Sequence, residues 1–413
     1  MTRSELLELI ANGESSGVEF KRDDLRPEQL AKEIVAMANF QGGQILLGVE
    51  DDGHIAGIRR DNLEEWVMDT VLGHYVHPFL LPFYEEIQVA ENTRVAVISF
   101  TQGIAKPYVV RSKGREEMYI RVGSTSRPAT REQQARLFAQ GGMLHAELLP
   151  VSGSSLEDLS RERLHDYLSH IRRDPEIPAD DEEWERRLLG LGLLVEREGG
   201  RPVCSIAGLL LFGYQPRRLI RQAGIRWMAF DVTDKKYNAL DDAVIDAPLV
   251  ALGNARNGGP WEIVAEGLIE KTMERMRPFV SEESATITES FRRERIWHYP
   301  FEAFREAIVN ALAHRDWTRS VDIEVVRYKD RLEVVSPGAM QNTMTVEKMI
   351  AGQRSPRNPI IVEILRDYGY VDARGMGVRT KIIPLLRAQN GVDPIFVATE
   401  DYLSVTMPRG RRT

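Results

Sequence analysis

The sequence predicts a multidomain protein of the α+β class. Its 413 residues are enough for two or three domains of ordinary size. Segments with helical spacing of apolar residues are mixed with short apolar strands, an order that is typical of α+β domains. A Ser- and Gly-rich segment, 150–155, separates the N-terminal region from the rest and predicts a linker.

These signals divide the chain into four parts. The parts are an N-terminal α+β domain (1–148), a linker with a helical segment (149–222), a C-terminal α/β domain (223–408) and a basic tail (409–413). In the second part, helices are followed by a predicted hairpin over 193–206, which is also the outline of a winged helix-turn-helix. In the third part, the spacing over 261–276 predicts an amphipathic helix.

The composition narrows the class of protein. Apolar residues make up 43% and charged residues 28% of the chain, as in ordinary globular proteins. We find no run of about 18 apolar residues and no basic-then-apolar start, so we expect no membrane span, no secretory signal and a cytoplasmic location. Cys204 is the only cysteine, which excludes an internal disulfide and a cysteine-based zinc site.

The distribution of charge is uneven. The net charge is −8, yet the segment from Lys106 to Arg136 contains eight Lys and Arg against three Glu. Such a local basic segment is typical of a surface that binds phosphates, although a solvated face would have the same composition. The residues that we predict to contact nucleic acid are Lys106, Arg111, Lys113, Arg115, Arg121 and Arg127.

Three acidic residues lie at or beside two predicted strands of the N-terminal region. Glu14 and Glu19 precede and begin a strand, and Asp51 follows the next apolar strand. If the two strands are neighbours, the three carboxylates can meet and hold Mg²⁺ or Mn²⁺ for phosphodiester chemistry, with Lys21 steadying a phosphate. In the alternative interpretation, Glu14 caps a turn, Glu19 pairs with Lys21, and Asp51 belongs to a hairpin turn.

Several motifs of this region resemble the Schlafen AlbA-type DNA-binding domain. They occur in the order Glu14–Lys21, Ala36–Gly57, Lys106–Tyr108 and Tyr119–Ser124. In animal Schlafen proteins this fold forms an endoribonuclease for tRNA and rRNA with three carboxylates. Glu14, Glu19 and Asp51 match these catalytic and metal-binding positions, and Lys21 matches the adjoining lysine. The resemblance implies binding of DNA or structured RNA, and a homodimer, because the animal nuclease uses two such lobes.

A second motif lies on a predicted helix over 301–314. Glu306 and Asn310 are one helical turn apart and therefore share a face. A glutamate and an asparagine in this arrangement can hold Mg²⁺ and orient a water molecule toward the γ-phosphate of a nucleotide. Alternatively, the apolar residues of the helix form a core face and the polar ones are simply solvated.

Residues 296–384 resemble the C-terminal domain of the family named for the RecG-type helicase, a divergent group of GHKL ATPases with an α/β sandwich fold. Glu306 and Asn310 match the N-box, so Asn310 is the implied metal ligand, and Gly375 and Gly377 resemble the second glycine box. The implied cofactor is ATP. Ser336 stands where GHKL enzymes have the aspartate that reads adenine, which argues against adenine recognition. No P-loop is present, which argues against a motor helicase.

The sequence therefore yields three hypotheses of function. The first is a bacterial DNA-binding protein that regulates transcription and whose nucleotide or dimer state is set by its C-terminal domain. The second is a metal-dependent endonuclease that acts on structured RNA or DNA. The third is an ATPase switch in stress or phage-defence signalling.

Overall fold

The structure is a computed structural model in which the chain forms two compact units, Met1–Leu144 and His145–Thr413. The residues that it describes are 1–103, 105–141, 145–197, 199–254, 261–287, 293–341, 344–353, 355–372 and 376–410. In these ranges no helix is both long and apolar enough to cross a membrane. The predicted boundary between residues 222 and 223 falls within the second unit and stays a prediction.

The first unit mixes helices and strands throughout. Its helices are α1 (Arg3–Asn12), α2 (Pro27–Asn39), α3 (Leu63–Glu65), α4 (Gly73–Tyr75) and α5 (Arg131–Gln140), with the π-helical segment Trp66–Leu72 joining α3 to α4. Its strands are β1 (Val18–Lys21), β2 (Gly42–Leu47), β3 (Val76–His77), β4 (Phe83–Ala90), β5 (Thr93–Thr101), β6 (Val109–Ser112), β7 (Arg115–Glu117), β8 (Tyr119–Val122) and β9 (Thr125–Pro128). The strands β6 and β7 form a hairpin across Lys113 and Gly114.

A four-stranded sheet of order β1-β2-β5-β4 organises this unit. The strands β1 and β2 are parallel, with Glu19 opposite Ile45 and Lys21 opposite Leu47. The expectation that the two strands are neighbours is therefore confirmed. One apolar cluster includes residues of α2 and another includes residues of α1, so the two helices bury different sets of side chains from the sheet.

The second unit begins with short elements. They are the 3₁₀ turns Ala146–Leu148 and Leu156–Asp158, helix α6 (Arg161–Asp166) with the π-helical segment Tyr167–Ile171, α7 (Asp181–Gly190), the strands β10 (Leu194–Val195) and β11 (Val203–Cys204), α8 (Ile206–Phe212) and α9 (Pro216–Leu219). Helices followed by a two-stranded hairpin are thus present in the segment where the sequence predicts them.

A six-stranded sheet forms the centre of the second unit. Its strands, in spatial order, are β13 (Asp241–Ile245), β12 (Ile225–Ala229), β18 (Ile323–Arg327), β19 (Arg331–Pro337), β21 (Tyr402–Pro408) and β20 (Ile395–Ala398). The two-stranded sheets are β14 (Leu252–Asn254) with β15 (Glu262–Ala265) and β16 (Ser281–Ile287) with β17 (Arg293–Trp297). The remaining helices are α10 (Leu268–Val280), α11 (Phe301–His314), α12 (Val346–Ile350), α13 (Pro359–Asp367), the π-helical segment Val378–Ile382 and α14 (Ile383–Asn390).

The predicted helix over 261–276 is wrong in its first turns. Residues 262–265 form β15 and pair with β14, and the helix begins only at Leu268. Gly267 precedes this helix, and its backbone N–H donates to the side chain of Glu270. The strand pairing with a segment earlier in the chain overrides the helical spacing, and Gly267 supplies the start of the helix.

Candidate functional sites

The three predicted carboxylates of the first unit meet around one ammonium group. Lys21 Nζ lies 2.6 Å from Glu19 Oε1, 3.8 Å from Glu14 Oε1 and 3.6 Å from Asp51 Oδ1. It also donates a 2.8 Å hydrogen bond to the carbonyl oxygen of Phe20. Glu19 and Lys21 are two residues apart on β1, so their side chains leave the strand on the same face.

The buried Arg121 is a second cation that pairs with this cluster. Arg121 is buried, and its Nη2 lies 2.5 Å from Glu19 Oε2, while its Nη1 lies 3.2 Å from Glu33 Oε2 on α2. Arg121 also donates to the carbonyl oxygens of Ser15 and Val18. Both oxygens of Glu19 are therefore engaged, one by Lys21 and the other by Arg121.

Burial, hydrogen bonds and neighbouring charges shift the pKa values of Glu14 and Lys21. Burial raises the pKa of Glu14 above its usual value, although the backbone N–H of Phe20, which donates to Glu14 Oε1 at 2.9 Å, opposes the rise. Burial lowers the pKa of Lys21, but its hydrogen bond to Glu19 and the charges of the three carboxylates outweigh burial and raise the pKa overall. Lys21 is therefore an ammonium ion at neutral pH.

The arrangement does not fit a resident divalent metal. Mg²⁺ requires oxygen ligands at about 2.1 Å in octahedral geometry, whereas the carboxylates here surround an ammonium nitrogen at hydrogen-bonding and longer distances. Within the described ranges, no group of three or more His, Cys, Asp or Glu residues is arranged to hold a metal ion. We therefore derive no metal-dependent step from Glu14, Glu19 and Asp51.

The six predicted nucleic-acid contacts fall into two groups. Lys106 and Arg121 are buried, and Lys106 Nζ donates to the carbonyl oxygen of Phe40 and to Gln140. In this conformation the two side chains form their contacts inside the unit. The exposed residues are Arg111, Lys113, Arg115 and Arg127, which lie on the hairpins β6–β7 and β8–β9.

The second unit contains a cavity of about 450 Å³ beside helix α11. Glu306 and Asn310 line it, as sequence spacing predicts, and so does Gly377. Gly375 lies outside the described residues. Along α11, His314 follows Asn310 by one turn and also lines the cavity, so the helix extends from one end of the cavity toward the other. This volume is within the range of small-molecule sites in proteins.

One end of the cavity combines a buried carboxylate with a close backbone approach. Asn310 Nδ2 donates to Glu306 Oε1 at 3.3 Å, and a Cβ atom on Gly377 would come within 1.7 Å of that same oxygen. Lys381, one turn beyond Gly377, places its Nζ 3.7 Å from Glu306 Oε2. Glu306 Oε2 is buried and has no hydrogen-bond partner among the described residues, and burial raises the pKa of Glu306.

The residues at this end fit a polar ligand. A buried carboxylate oxygen without a hydrogen-bond donor is costly, and a ligand, metal or water that pairs with it removes the cost. Lys381 is not among the residues predicted from the sequence, although its spacing of four residues from Gly377 places both on one face of a helix.

At the other end of the cavity, Ser336 stands where the resemblance to GHKL enzymes implies an adenine-reading aspartate. Ser336 is buried at the end of β19, and its hydroxyl donates to the carbonyl oxygen of Ala311 at 3.1 Å. Arg357, which belongs to a motif over residues 354–359 that can bind a phosphate or a partner domain, lines the cavity here and forms a 3.2 Å ion pair with Asp316. The guanidinium group at this end is therefore already paired with a carboxylate.

The fold and these two sites define a mixed α/β protein of two units, one with a carboxylate cluster and one with a cavity of about 450 Å³. Residues 14–130 match the model of the Schlafen, AlbA_2 family, and residues 320–407 match the family described as "Putative ATP-dependent DNA helicase recG C-terminal". Both family resemblances inferred from the sequence are confirmed, and the C-terminal match begins at residue 320, after Glu306 and Asn310. The two domains together indicate a nucleic-acid-associated protein.

Solved structures with low sequence identity are similar to the chain. The DIP2311 protein of Corynebacterium diphtheriae is 22% identical with a TM-score of 0.43, and the match covers 99% of this chain and 81% of that one. The N-terminal domain of a RecG-related protein of Nitrosomonas europaea is 20% identical with a TM-score of 0.24, covering 32% of this chain and 94% of that one. No curated protein sequence matches significantly.

Proposed function

We propose that this protein is a DNA-binding regulatory protein whose second unit binds a nucleoside triphosphate. The observation that carries the proposal is the group of exposed cations on the β6–β7 and β8–β9 hairpins of the Schlafen-type unit. Arg and Lys side chains at hairpins can reach the phosphate backbone of a duplex, and such contacts supply most of the affinity that is independent of sequence.

The geometry of the β6–β7 turn supports this role. Lys113 and Gly114 both have positive φ, 51° and 74°, as a tight two-residue hairpin turn requires. Lys113 is therefore at the tip of the hairpin, and Arg115 begins the returning strand. Arg111 is also exposed, but its guanidinium lies 2.6 Å from Glu116, so it offers less free charge than its neighbours.

The cavity supports the nucleotide part of the proposal. Its Glu306 end offers a carboxylate, the amide of Asn310 and the N-terminus of the helical segment that follows Gly377, and the ammonium of Lys381 lies 3.7 Å from that carboxylate. Helix N-termini and ammonium groups attract phosphates. A bound Mg²⁺ would supply charge neutralisation between the phosphates, and Asn310 and Glu306 are the residues that would hold it.

ATP is the nucleotide that the family resemblance suggests. Because Ser336 offers no carboxylate to the adenine amino group, we expect ATP to bind weakly, at millimolar rather than micromolar concentration. The homodimer and the endonuclease alternative stay predictions.

Fluorescence anisotropy tests the proposed DNA binding. It measures binding to labelled double-stranded DNA, single-stranded DNA and tRNA over a range of salt concentrations. The triple variant Lys113→Ala, Arg115→Ala, Arg127→Ala should lower the salt slope by about three, because each lost phosphate contact lowers it by about 0.9. The matched control is the triple variant Arg221→Ala, Lys236→Ala, Lys329→Ala, which removes three exposed cations from the second unit. Equal slopes for wild type and hairpin variant would refute this interface.

Calorimetry with ATP and Mg²⁺ tests the second part. Asn310→Ala should abolish the heat of binding, whereas Asn238→Ala, at an exposed position of the same unit, should leave it unchanged. Absence of binding by the wild-type protein at millimolar ATP and GTP would refute the nucleotide site. DNA binding with and without nucleotide then shows whether the second unit regulates the first.

A further inference from the structure

The carboxylate cluster of the first unit already contains a cation. We infer that the Lys21 ammonium takes the place that a divalent metal would otherwise hold among Glu14, Glu19 and Asp51, so that the unit maintains this cluster without metal. Removal of the ammonium should convert the cluster into a divalent-metal site. This inference does not depend on the proposed nucleotide or nucleic-acid binding.

The position of Lys21 is fixed by the fold. Both Glu19 and Lys21 lie on β1, whose backbone is held by parallel pairing with Ile45 and Leu47 of β2. The strand therefore directs the ammonium and the buried carboxylate to the same face, and the side chain of Lys21 is 26% exposed. A lysine at this register reaches the cluster without help from any loop.

The distances within the cluster suit an ammonium group. The contacts of Lys21 Nζ to Glu19 Oε1 and to the carbonyl oxygen of Phe20 are 2.6 and 2.8 Å, which are ordinary lengths for charge-assisted hydrogen bonds. The oxygens of Glu14 and Asp51 are farther away, at 3.8 and 3.6 Å, and contribute charge. Ligands of Mg²⁺ would have to close to about 2.1 Å around the metal.

The charges also oppose simultaneous binding of lysine and metal. A dication that entered the cluster would lie within a few ångströms of the Lys21 ammonium and would be repelled by it. Arg121 adds a second positive charge beside Glu19. Without Lys21, Glu14 and Asp51 would lose their nearest cation, and the cluster would favour a divalent cation from solution.

Electron paramagnetic resonance tests the inference, because it measures the free Mn²⁺ that remains as the protein is added in the absence of nucleotide. Lys21→Met keeps the length of the side chain and removes its charge, and should bind Mn²⁺ at least tenfold more tightly than wild type. The matched control Lys236→Met removes an exposed charge from the second unit and should behave as wild type. A folded Lys21→Met protein with no gain in Mn²⁺ affinity would overturn the inference.

Thermal unfolding gives an independent result. Lys21→Met should unfold at a lower temperature than wild type, and added Mn²⁺ should restore part of the loss, because a ligand that binds only the folded state stabilises it. Mn²⁺ and EDTA should leave the wild-type transition of the first unit unchanged. If Lys21→Met does not fold, wild type still decides the question: Mn²⁺ binding at micromolar concentration that Glu19→Gln abolishes would refute the inference.

Discussion

Arg121 Nη2 lies 2.5 Å from Glu19 Oε2, and both side chains are buried within the N-terminal unit although 102 positions separate them in the chain. This contact joins the β8–β9 hairpin to strand β1, and a further contact to Glu33 joins it to α2. Arg121 therefore acts as an internal counter-ion for two carboxylates. The same contact explains why a residue in the basic segment does not face solvent.

Arg121→Ala should destabilise the first unit strongly. It leaves the buried Glu33 without its cation and Glu19 with Lys21 alone, and the loss of one partner of a buried ion pair costs about 3–5 kcal/mol. Urea unfolding followed by circular dichroism measures the loss. Arg111→Ala, which breaks the exposed pair with Glu116, should cost less than about 1 kcal/mol. Similar costs for the two variants would contradict the buried role of Arg121.

Asn39→Ala should also destabilise the first unit. Asn39 is buried, its Nδ2 donates to the carbonyl oxygens of Tyr108 and Tyr119 at 2.9 Å, and its Oδ1 accepts from the Tyr108 N–H at 2.8 Å. Truncation leaves these backbone groups unpaired, at about 1–3 kcal/mol for each buried group. Hydrogen exchange should show faster exchange at the Tyr108 amide than in wild type. Unchanged protection there would contradict the contact.

Gly377→Ala should disturb the cavity end formed by Glu306. The added Cβ would come within 1.7 Å of Glu306 Oε1, so the Glu306 carboxylate or the helical segment that begins here must shift. We expect a loss of about 1–3 kcal/mol in stability and at least a tenfold loss in nucleotide affinity. Calorimetry measures the affinity. The control is Gly190→Ala in the same unit, where a Cβ meets nothing within 4 Å, and equal behaviour of both variants would contradict the prediction.

We expect the stability of the second unit to depend on pH because of Glu147. Its two oxygens accept the N–H groups of Ile360 and Ile361 at the start of α13, each at 2.9 Å, and its side chain is fully buried. Burial raises the pKa of Glu147 to about 7, and the two N–H donors only partly offset this rise. A raised pKa means that, between about pH 4.5 and 7, the folded state keeps a proton that the unfolded state has lost.

The wild-type protein should therefore lose stability as pH rises through this window, by about 3 kcal/mol from this group, with no further change from it above pH 7. Glu147→Gln should remove that slope, because the amide does not titrate. Urea unfolding at a series of pH values, followed by tryptophan fluorescence, measures it. The exposed Glu157→Gln should keep the wild-type slope. Parallel curves for wild type and Glu147→Gln would show that Glu147 does not titrate in this range.

Local sequence patterns determined much of the secondary structure. The positive-φ turn at Lys113 and Gly114 and the helix with Glu306 and Asn310 one turn apart follow from preferences within a few residues. Pairing with a distant segment overrides such local preferences where the two compete. Residues 262–265 show this, because they pair with β14 as strand β15 instead of forming the first turns of the helix predicted from residue 261.

The sequence by itself determined the two family resemblances, the group of three carboxylates, and the N-box pair on α11, because these depend on residue type and short spacing. Only the tertiary structure decided that Lys106 and Arg121 are buried while Lys113 and Arg115 are exposed, since all four are equally basic in the sequence. It also placed the Lys21 ammonium among the carboxylates. Burial and ion pairing depend on which distant elements pack together, and a local pattern does not contain that information.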